Sequence, residues 1–498
     1  MVAIQFRSSI GLLTALLLGA AIGLTGCGDS GGGGGGGTGG RHDAAAGSGG
    51  SGGSGGVTTK PDAAPDVAAT GGAGGIGGAG GTSAIDVAPD APMGTGGVDG
   101  GIDAAIDGDI DGAIDGPVAA TMHLYVGCAD STGSIQVFDL DGLTGVLAPL
   151  ANFKAGGAIS NTEFNDAEDH MYIAHMIGSE AKLSTFTRNP TSGALTLVGS
   201  PVAVPYSPPG SGGGADGGVI DGGAIDAGAP PTNAGPQTLT FDRSAHFVAV
   251  PNYFSGYVYV YDMNNDESIH SLVAWHTAGN NAHNAVFTLN NKFMLVPYLG
   301  SNLIDVYGFN ASTGAITATA STTLPNASSG PRHLALHGNG KWLYSINESA
   351  GGASSAAGSI DFFTVDQTAG SVTSTATFDV PLPTGYTGVK NGAEIEIAPS
   401  GNLLIVSMRL DSVADGSLVS YRINATTGAL TLIEQDGSHG VTPRQFSLSK
   451  DGTLLVVGNQ TSNTIAVFKV DATAGTMTFV GDRGVCPSPR FARMAAIK

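Results

Sequence analysis

The feature that most limits how this chain can fold is a self-similar unit that recurs from about Ala119 to the end. Its clearest copy starts at Gly330 and reads GPRHLALHGNGKWLYSINE, then GSIDFFTVD, then GSVTSTATF. That is a strand, a polar turn, a second strand, a third, a glycine turn and a fourth. The order returns as NAHNAVFTLNNKFMLVPYLG from Asn281, GAEIEIAPSGNLLIVSMR from Gly392 and TPRQFSLSKDGTLLVVGNQ from Thr442, with fainter copies near Asn161 and Gly235. Four-stranded units at a period of about 40 to 50 residues predict an all-β fold, a β-propeller.

The count gives six whole units and one divided unit. The repeat region opens on MHLYVGCAD, a second strand with no first, and closes on SPRFARMAAI, a first strand with no second. The two ends therefore predict one shared blade, a ring of seven blades spanning 119–498, and no free sheet edge. Between the second and third units lies PPGSGGGADGGVIDGGAIDAGAPPTNAG, residues 208–235, expected to leave the fold as a disordered surface loop.

Residues 1–27 read as an export signal, with Arg7, an apolar run from Ile10 to Leu24 and a small-residue cleavage site. Leu24, Thr25, Gly26 and Cys27 resemble a bacterial lipobox, which implies acylation of Cys27, anchoring to a membrane and a place in the cell envelope. Gly28 after the cysteine leans towards the outer membrane. Residues 28–118 are Gly, Ala, Ser and Asp without an aromatic residue, too poor in apolar surface to offset their conformational entropy, and predict a disordered tether. The tether carries about half of the net charge of −21, and with only 20 Lys and Arg in the chain a nucleic-acid partner is excluded. A monomer is expected. With Cys27 given to lipid, Cys128 and Cys486 remain as an even pair in a compartment where disulfides persist. Register places Cys128 at the position of Glu348, on the same face of the divided blade as Cys486, which predicts a bridge; two separate buried thiols are the alternative.

The repeat alignment also locates the chemistry. Gln237, His283, Arg332, Arg444 and Arg490 share the start of the inner strand. Asn252, Tyr298, Asn347, Met408 and Asn459 share the end of the second strand, followed by Tyr253, Leu299, Glu348, Arg409 and Gln460. Both positions fall at one mouth of the central channel. Four of the nine arginines beyond Ala119 converge there, which makes a local anion site in an acidic protein. Trp342 and Tyr344 alternate with Leu343 along a strand and are assigned to packing between blades. No His or Cys cluster has metal-ligand spacing and no Gly-rich phosphate loop opens a helix, so neither a metal nor another cofactor is expected.

The motifs SGPRHLALHGNGKWLYSINE, NAHNAVFTLNNKFMLVPYLGSNLIDVYGF and PRQFSLSKDGTLLVVGNQTSNTIAVFKVD resemble the lactonase family of seven-bladed propellers, which includes propeller-type 6-phosphogluconolactonases and the fungal carboxymuconate lactonizing enzyme. The resemblance implies catalytic roles for His283, Arg332, Glu348 and Arg409, and a small anionic lactone or sugar acid as partner. Around these, Arg444, Arg490, Asn347, Asn459 and Tyr298 are expected to contact substrate. The chain departs from the family at Asn281, Tyr298 and Met408, where His, Asp and Asn are usual. The chemistry expected is an anion clamp from Arg332 and Arg409, with Glu348 as general base and His283 as partner acid. The competing reading is a tethered propeller that binds a glycan, peptide or protein and catalyses nothing.

Overall fold

A computed structural model of the chain describes residues 121–206, 218–219, 235–348, 358–410 and 415–498. The export signal, Cys27, the tether and most of the 208–235 insertion lie outside the described residues.

Among the described residues the fold is a seven-bladed β-propeller, with seven antiparallel sheets and a single 3-10 turn at Leu299–Ser301. The divided blade is built as its ends require: Pro489–Ala496 pairs with Met122–Cys128, which pairs in turn with Ser134–Leu140 and then Leu147–Lys154. We call this blade I and number the others in chain order, from Ile159–Phe164 at the inner edge of blade II to Pro443–Leu448 at that of blade VII. In blade III, Gly218–Val219 adds a two-residue fifth strand against Ala274 and Trp275. At that point the insertion follows the sheet edge, contrary to the expectation that all of 208–235 leaves the fold; its backbone pairs with an otherwise open outer strand.

The core is seven separate cores. Each sheet buries both faces, so each interface between neighbouring blades holds its own apolar cluster, and there are seven clusters for seven interfaces. Successive side chains of a strand point to opposite faces and therefore serve different clusters. Trp342, Tyr344 and Ile346 pack against blade VI, while Leu343 between them packs against blade IV. The Tyr344 hydroxyl donates to the Gly428 carbonyl at 2.7 Å. Gly428 has φ +75°, and a Cβ there would lie 2.7 Å from the Trp342 ring, so only glycine lets this turn close on its neighbour.

The seventh interface, between blades VII and I, closes the ring. It contains Leu124, Val126 and Ala492 from blade I with Leu454, Val456 and Ile465 from blade VII. Cys128 and Cys486 are joined there by a disulfide with a Cα–Cα distance of 5.9 Å across 358 residues of sequence. The register is one residue from that expected. Cys128 pairs with Pro489 as Asn347 pairs with Pro331, so Cys128 matches Asn347, and Ala129 holds the place of Glu348.

Candidate active site

A repeated irregularity in the sheets builds the site. In blade V, Pro331 faces Asn347 and His333 faces Ile346, which leaves Arg332 as an extra residue with no partner on the second strand. The same bulge leaves out Arg444 in blade VII, Arg490 in blade I and Ser160 in blade II. A bulge residue is free of the ladder's alternation, so its side chain can be aimed at the channel. Pro331, Pro443 and Pro489 precede these arginines at the first residue of an inner strand, where a missing N–H costs no ladder bond.

A second ring lies beside the first. In every blade a residue at or just beyond the end of the second strand donates its backbone N–H to the loop entering the inner strand: Ala129 to Ser488, Met176 to Ala158, Tyr253 to Gly235, Leu299 to Asn281, Glu348 to Gly330, Arg409 to Asn391 and Gln460 to Thr442, at 2.8 to 3.1 Å. Seven equivalent bonds place seven unlike side chains at the same level. A cavity of about 550 Å³ opens between the rings, lined on one side by His283, Glu348, Arg444 and Arg490 and on the other by Met176, Tyr253, Phe254 and Gln237. A smaller space beneath it reaches Arg332 and His333.

The charges divide unevenly. Glu348 is ion-paired to Arg332 Nε at 3.0 Å and to Arg409 Nη2 at 2.5 Å. Burial would raise its carboxyl, but Arg409 and then Arg332 outweigh burial and hold it below the usual range. Beneath, His333 Nδ1 lies 2.7 Å from Glu394 Oε1 and Nε2 lies 3.3 Å from Arg332 Nη1. Arginine only donates, so Nε2 accepts and the ring proton sits on Nδ1, directed at Glu394. Arg332 Nη1 also donates to the Ala393 carbonyl at 2.5 Å. Burial, with Arg409 next, lowers Arg332 to about 10.

Arg444 and Arg490 have no such compensation. Neither has a carboxylate partner among the described residues; Arg444 reaches only Gln237 Oε1 at 3.5 Å, and Arg490 Nε is buried without a partner. Burial, then the neighbouring Arg332, Arg490 and Arg409, pull Arg444 well below the ordinary guanidinium range. Burial and Arg409 lower Arg490 as well. His283 is 3% exposed, and burial followed by Arg332 pushes its pKa well below 6.5, so the ring is neutral at pH 7. Its Nδ1 is buried without a hydrogen-bond partner.

The structure thus brings together His283, Arg332, Glu348, Arg409, Arg444 and Arg490, and separates three residues expected beside them. Tyr298 is fully buried in the cluster between blades III and IV, its hydroxyl 2.7 Å from that of Tyr307. Asn347 is fully buried and donates to Ser359 Oγ and Asp361 Oδ2, both at 2.9 Å. Asn459 is fully buried and donates to the Ser438 carbonyl at 2.9 Å. All three end a strand inside a blade, one residue short of the position that faces the channel.

Two expected roles change as well. Arg332 and Arg409 are engaged by Glu348, which leaves Arg444 and Arg490 as the open cations. A neutral His283 has no proton to spare as a standing acid, and both carboxylate oxygens of Glu348 are taken up by ion pairs. Phe254 and Met176 are not placed at the mouth by the sequence reading; Tyr253 is, in the register of Glu348, but without a role. One set of possible metal donors, Asp169, His170 and Glu267, comes within 4.8 Å among the described residues. Asn165 Nδ2 bonds both carboxylates, and none of the three belongs to either ring.

Comparison with known proteins agrees with this architecture. A 6-phosphogluconolactonase of Formosa agariphila is 30% identical over 49% of this chain and 69% of its own length. One of Serratia proteamaculans is 27% identical over 43% of this chain, and the match spans 61% of that relative. Among solved structures, a periplasmic gluconolactonase of Pseudomonas aeruginosa superposes with a TM-score of 0.63 and 22% identity, over 76% of this chain and all of its own. The family described as "Lactonase, 7-bladed beta-propeller" matches residues 225–494, and the chain belongs to that family.

Proposed function

We propose that this protein is a lactonase that opens a small anionic lactone by hydrolysis, exported and held in the cell envelope by lipid on Cys27. The observation that carries the reading is the pair of cavity-lining guanidiniums, Arg444 and Arg490, which have no ion-paired carboxylate among the described residues, beside the neutral imidazole of His283. Both curated relatives carry the name 6-phosphogluconolactonase, which points to the same reacting group, a lactone that bears an anion.

In this mechanism Arg444 and Arg490 hold the substrate's anionic group. His283 accepts a proton from a water molecule as that water attacks the lactone carbonyl. The carbonyl oxygen becomes an oxyanion stabilised by the guanidinium field of the mouth, with Arg332 and Arg409 fixed in place by Glu348. When the tetrahedral intermediate collapses, the ring C–O bond breaks, and the proton on His283 passes to the departing alkoxide. The products are a hydroxy acid and the regenerated neutral imidazole. Glu348 is a positioning residue in this scheme.

A panel of anionic lactones assayed with the wild type, His283→Asn and Arg444→Ala tests it. Turnover lost in His283→Asn and a raised KM in Arg444→Ala are expected; turnover unchanged in both variants would overturn the assignment. For the anchor, labelled fatty acid should enter the wild-type chain and not Cys27→Ser, and label retained by that variant would refute lipidation at Cys27.

A further inference from the structure

Among the described residues the mouth carries its charged groups on one side only. Around the two rings, blades IV to VII and the inner strand of blade I supply His283, Arg332, Glu348, Arg409, Arg444 and Arg490, whereas blades II and III supply Met176, Tyr253 and Phe254. Phe254, at the rim of the cavity, is 56% exposed. It stands edge-on to Tyr253 with centroids 5.3 Å apart, and Tyr253 stands edge-on to His283 at 5.6 Å. A Cβ at Gly235 would lie 2.6 Å from the Phe254 ring, so the ring rests directly on backbone that no other residue type would leave clear.

Two of the polar side chains on this side, Ser160 and Gln237, are already in use, which leaves the Tyr253 hydroxyl. Ser160 Oγ donates to the Ala174 carbonyl at 2.9 Å. Gln237 Nε2 donates to the Gly235 carbonyl at 3.1 Å, and its Oε1 is the acceptor facing Arg444. A ligand with several hydroxyls would lose water here and find few partners in return, a loss that burial does not offset. A ligand with an apolar substituent would instead cover Phe254, Tyr253 and Met176 and gain from each.

We infer that the site takes an amphiphilic anion, with its charged group on Arg444 and Arg490 and a hydrocarbon or aryl substituent on the wall formed by Tyr253, Phe254 and Met176. The inference rests on the lactonase reading for the identity of the reacting group, and narrows the lactone to one bearing an apolar substituent in place of a polyhydroxylated chain. Phe254 is then a specificity-determining residue.

Calorimetric titration of the full chain with methylphosphonate, benzylphosphonate and 6-phosphogluconate tests this without any need for turnover. Benzylphosphonate should bind at least about tenfold more tightly than methylphosphonate, which has the same head group, and more tightly than 6-phosphogluconate. Phe254→Ala should bring the benzyl-to-methyl ratio towards one and Phe254→Tyr should keep it, the second variant controlling for any disturbance of the loop. A ratio near one in the wild type, a ratio unmoved by Phe254→Ala, or tighter binding of 6-phosphogluconate would each overturn the inference. If the expected ratios are found and no lactone is turned over, the lactonase reading fails while the ligand class stands.

Discussion

Replacing Glu348 by Gln removes the single carboxylate that lines the cavity among the described residues and leaves its shape almost intact. Two ion pairs are lost, at 3.0 Å to Arg332 and 2.5 Å to Arg409. The carboxylate is 23% exposed and Arg332 only 2%. A pair this sheltered has a gross attraction of about 4 kcal/mol at an effective dielectric near 20. Breaking a buried pair by deleting one partner costs about 3 to 5 kcal/mol, and the exposure of Glu348 argues for the lower end, about 3 kcal/mol. For a domain of this size that is a fall of about 5 °C in melting temperature, measured by calorimetry at low salt. The same substitution leaves four guanidiniums facing one another, so phosphate should bind about tenfold more tightly and recover about 1.4 kcal/mol at saturation. The deficit should therefore shrink markedly in phosphate buffer. Turnover should fall through misplacement of Arg332 and Arg409, while the acid limb of the pH–rate profile, set by His283, should stay in place. A variant that melts with the wild type and responds equally to phosphate would refute the charge-balance argument. A variant whose acid limb vanishes would show that Glu348 itself is the base.

Three further outcomes are expected. His175 is fully buried with a pKa lowered to about 4 by burial. A depressed histidine contributes stability that is complete above the unfolded value of 6.5 and is lost as pH falls through 4, about 3 kcal/mol in all, so His175→Gln should flatten the loss of stability between pH 6.5 and 4 in denaturant titrations; an unchanged slope would contradict this. Reduction of the Cys128–Cys486 disulfide should cost about 2 to 4 kcal/mol, seen as a lower melting temperature in dithiothreitol and its absence in a Cys128→Ser, Cys486→Ser double variant. Gly127→Ala should destabilise by about 1 to 3 kcal/mol, because a Cβ there would fall 1.8 Å from the Phe491 ring in the closing blade; a melting temperature equal to wild type would show that the ring can move aside.

The architecture was legible because a propeller repeats its own signal. MHLYVGC and SPRFARM each fail as whole units and succeed together, which predicts ring closure without any knowledge of distance, and Pro489–Ala496 does pair with Met122–Cys128. Trp342, Leu343 and Tyr344 gave the packing between blades by simple alternation, and the clusters they enter are those alternation requires. The register also identified the level along the channel at which Arg332, Arg444 and Arg490 lie. Direction was harder to read. Asn347 and Glu348 are neighbours at the same end of one strand, yet the first turns into the blade towards Asp361 and the second towards Arg332. Tyr298 and Asn459 share the position of Asn347 and share its burial, and the one-residue shift of Cys128 has the same origin.

Division of charge was illegible for a different reason. The sequence supplies four arginines and one glutamate at the mouth, but pairing depends on which guanidiniums flank the carboxylate in three dimensions. Arg332 and Arg409 belong to blades V and VI, next to Glu348 on blade V, whereas Arg444 and Arg490 belong to blades VII and I and have no ion-paired carboxylate among the described residues. The bulge explains how such an imbalance can be carried. Arg332, Arg444 and Arg490 lie outside the strand ladder, and their neighbours Pro331, Pro443 and Pro489 hold the pairing with Asn347, Asn459 and Cys128. The blade is thus held by one set of residues and the chemistry by the next. Each mouth position can change type without disturbing the clusters that stabilise the ring, which is how blades so alike in backbone can place arginine on one side of a cavity and bare aromatic rings on the other.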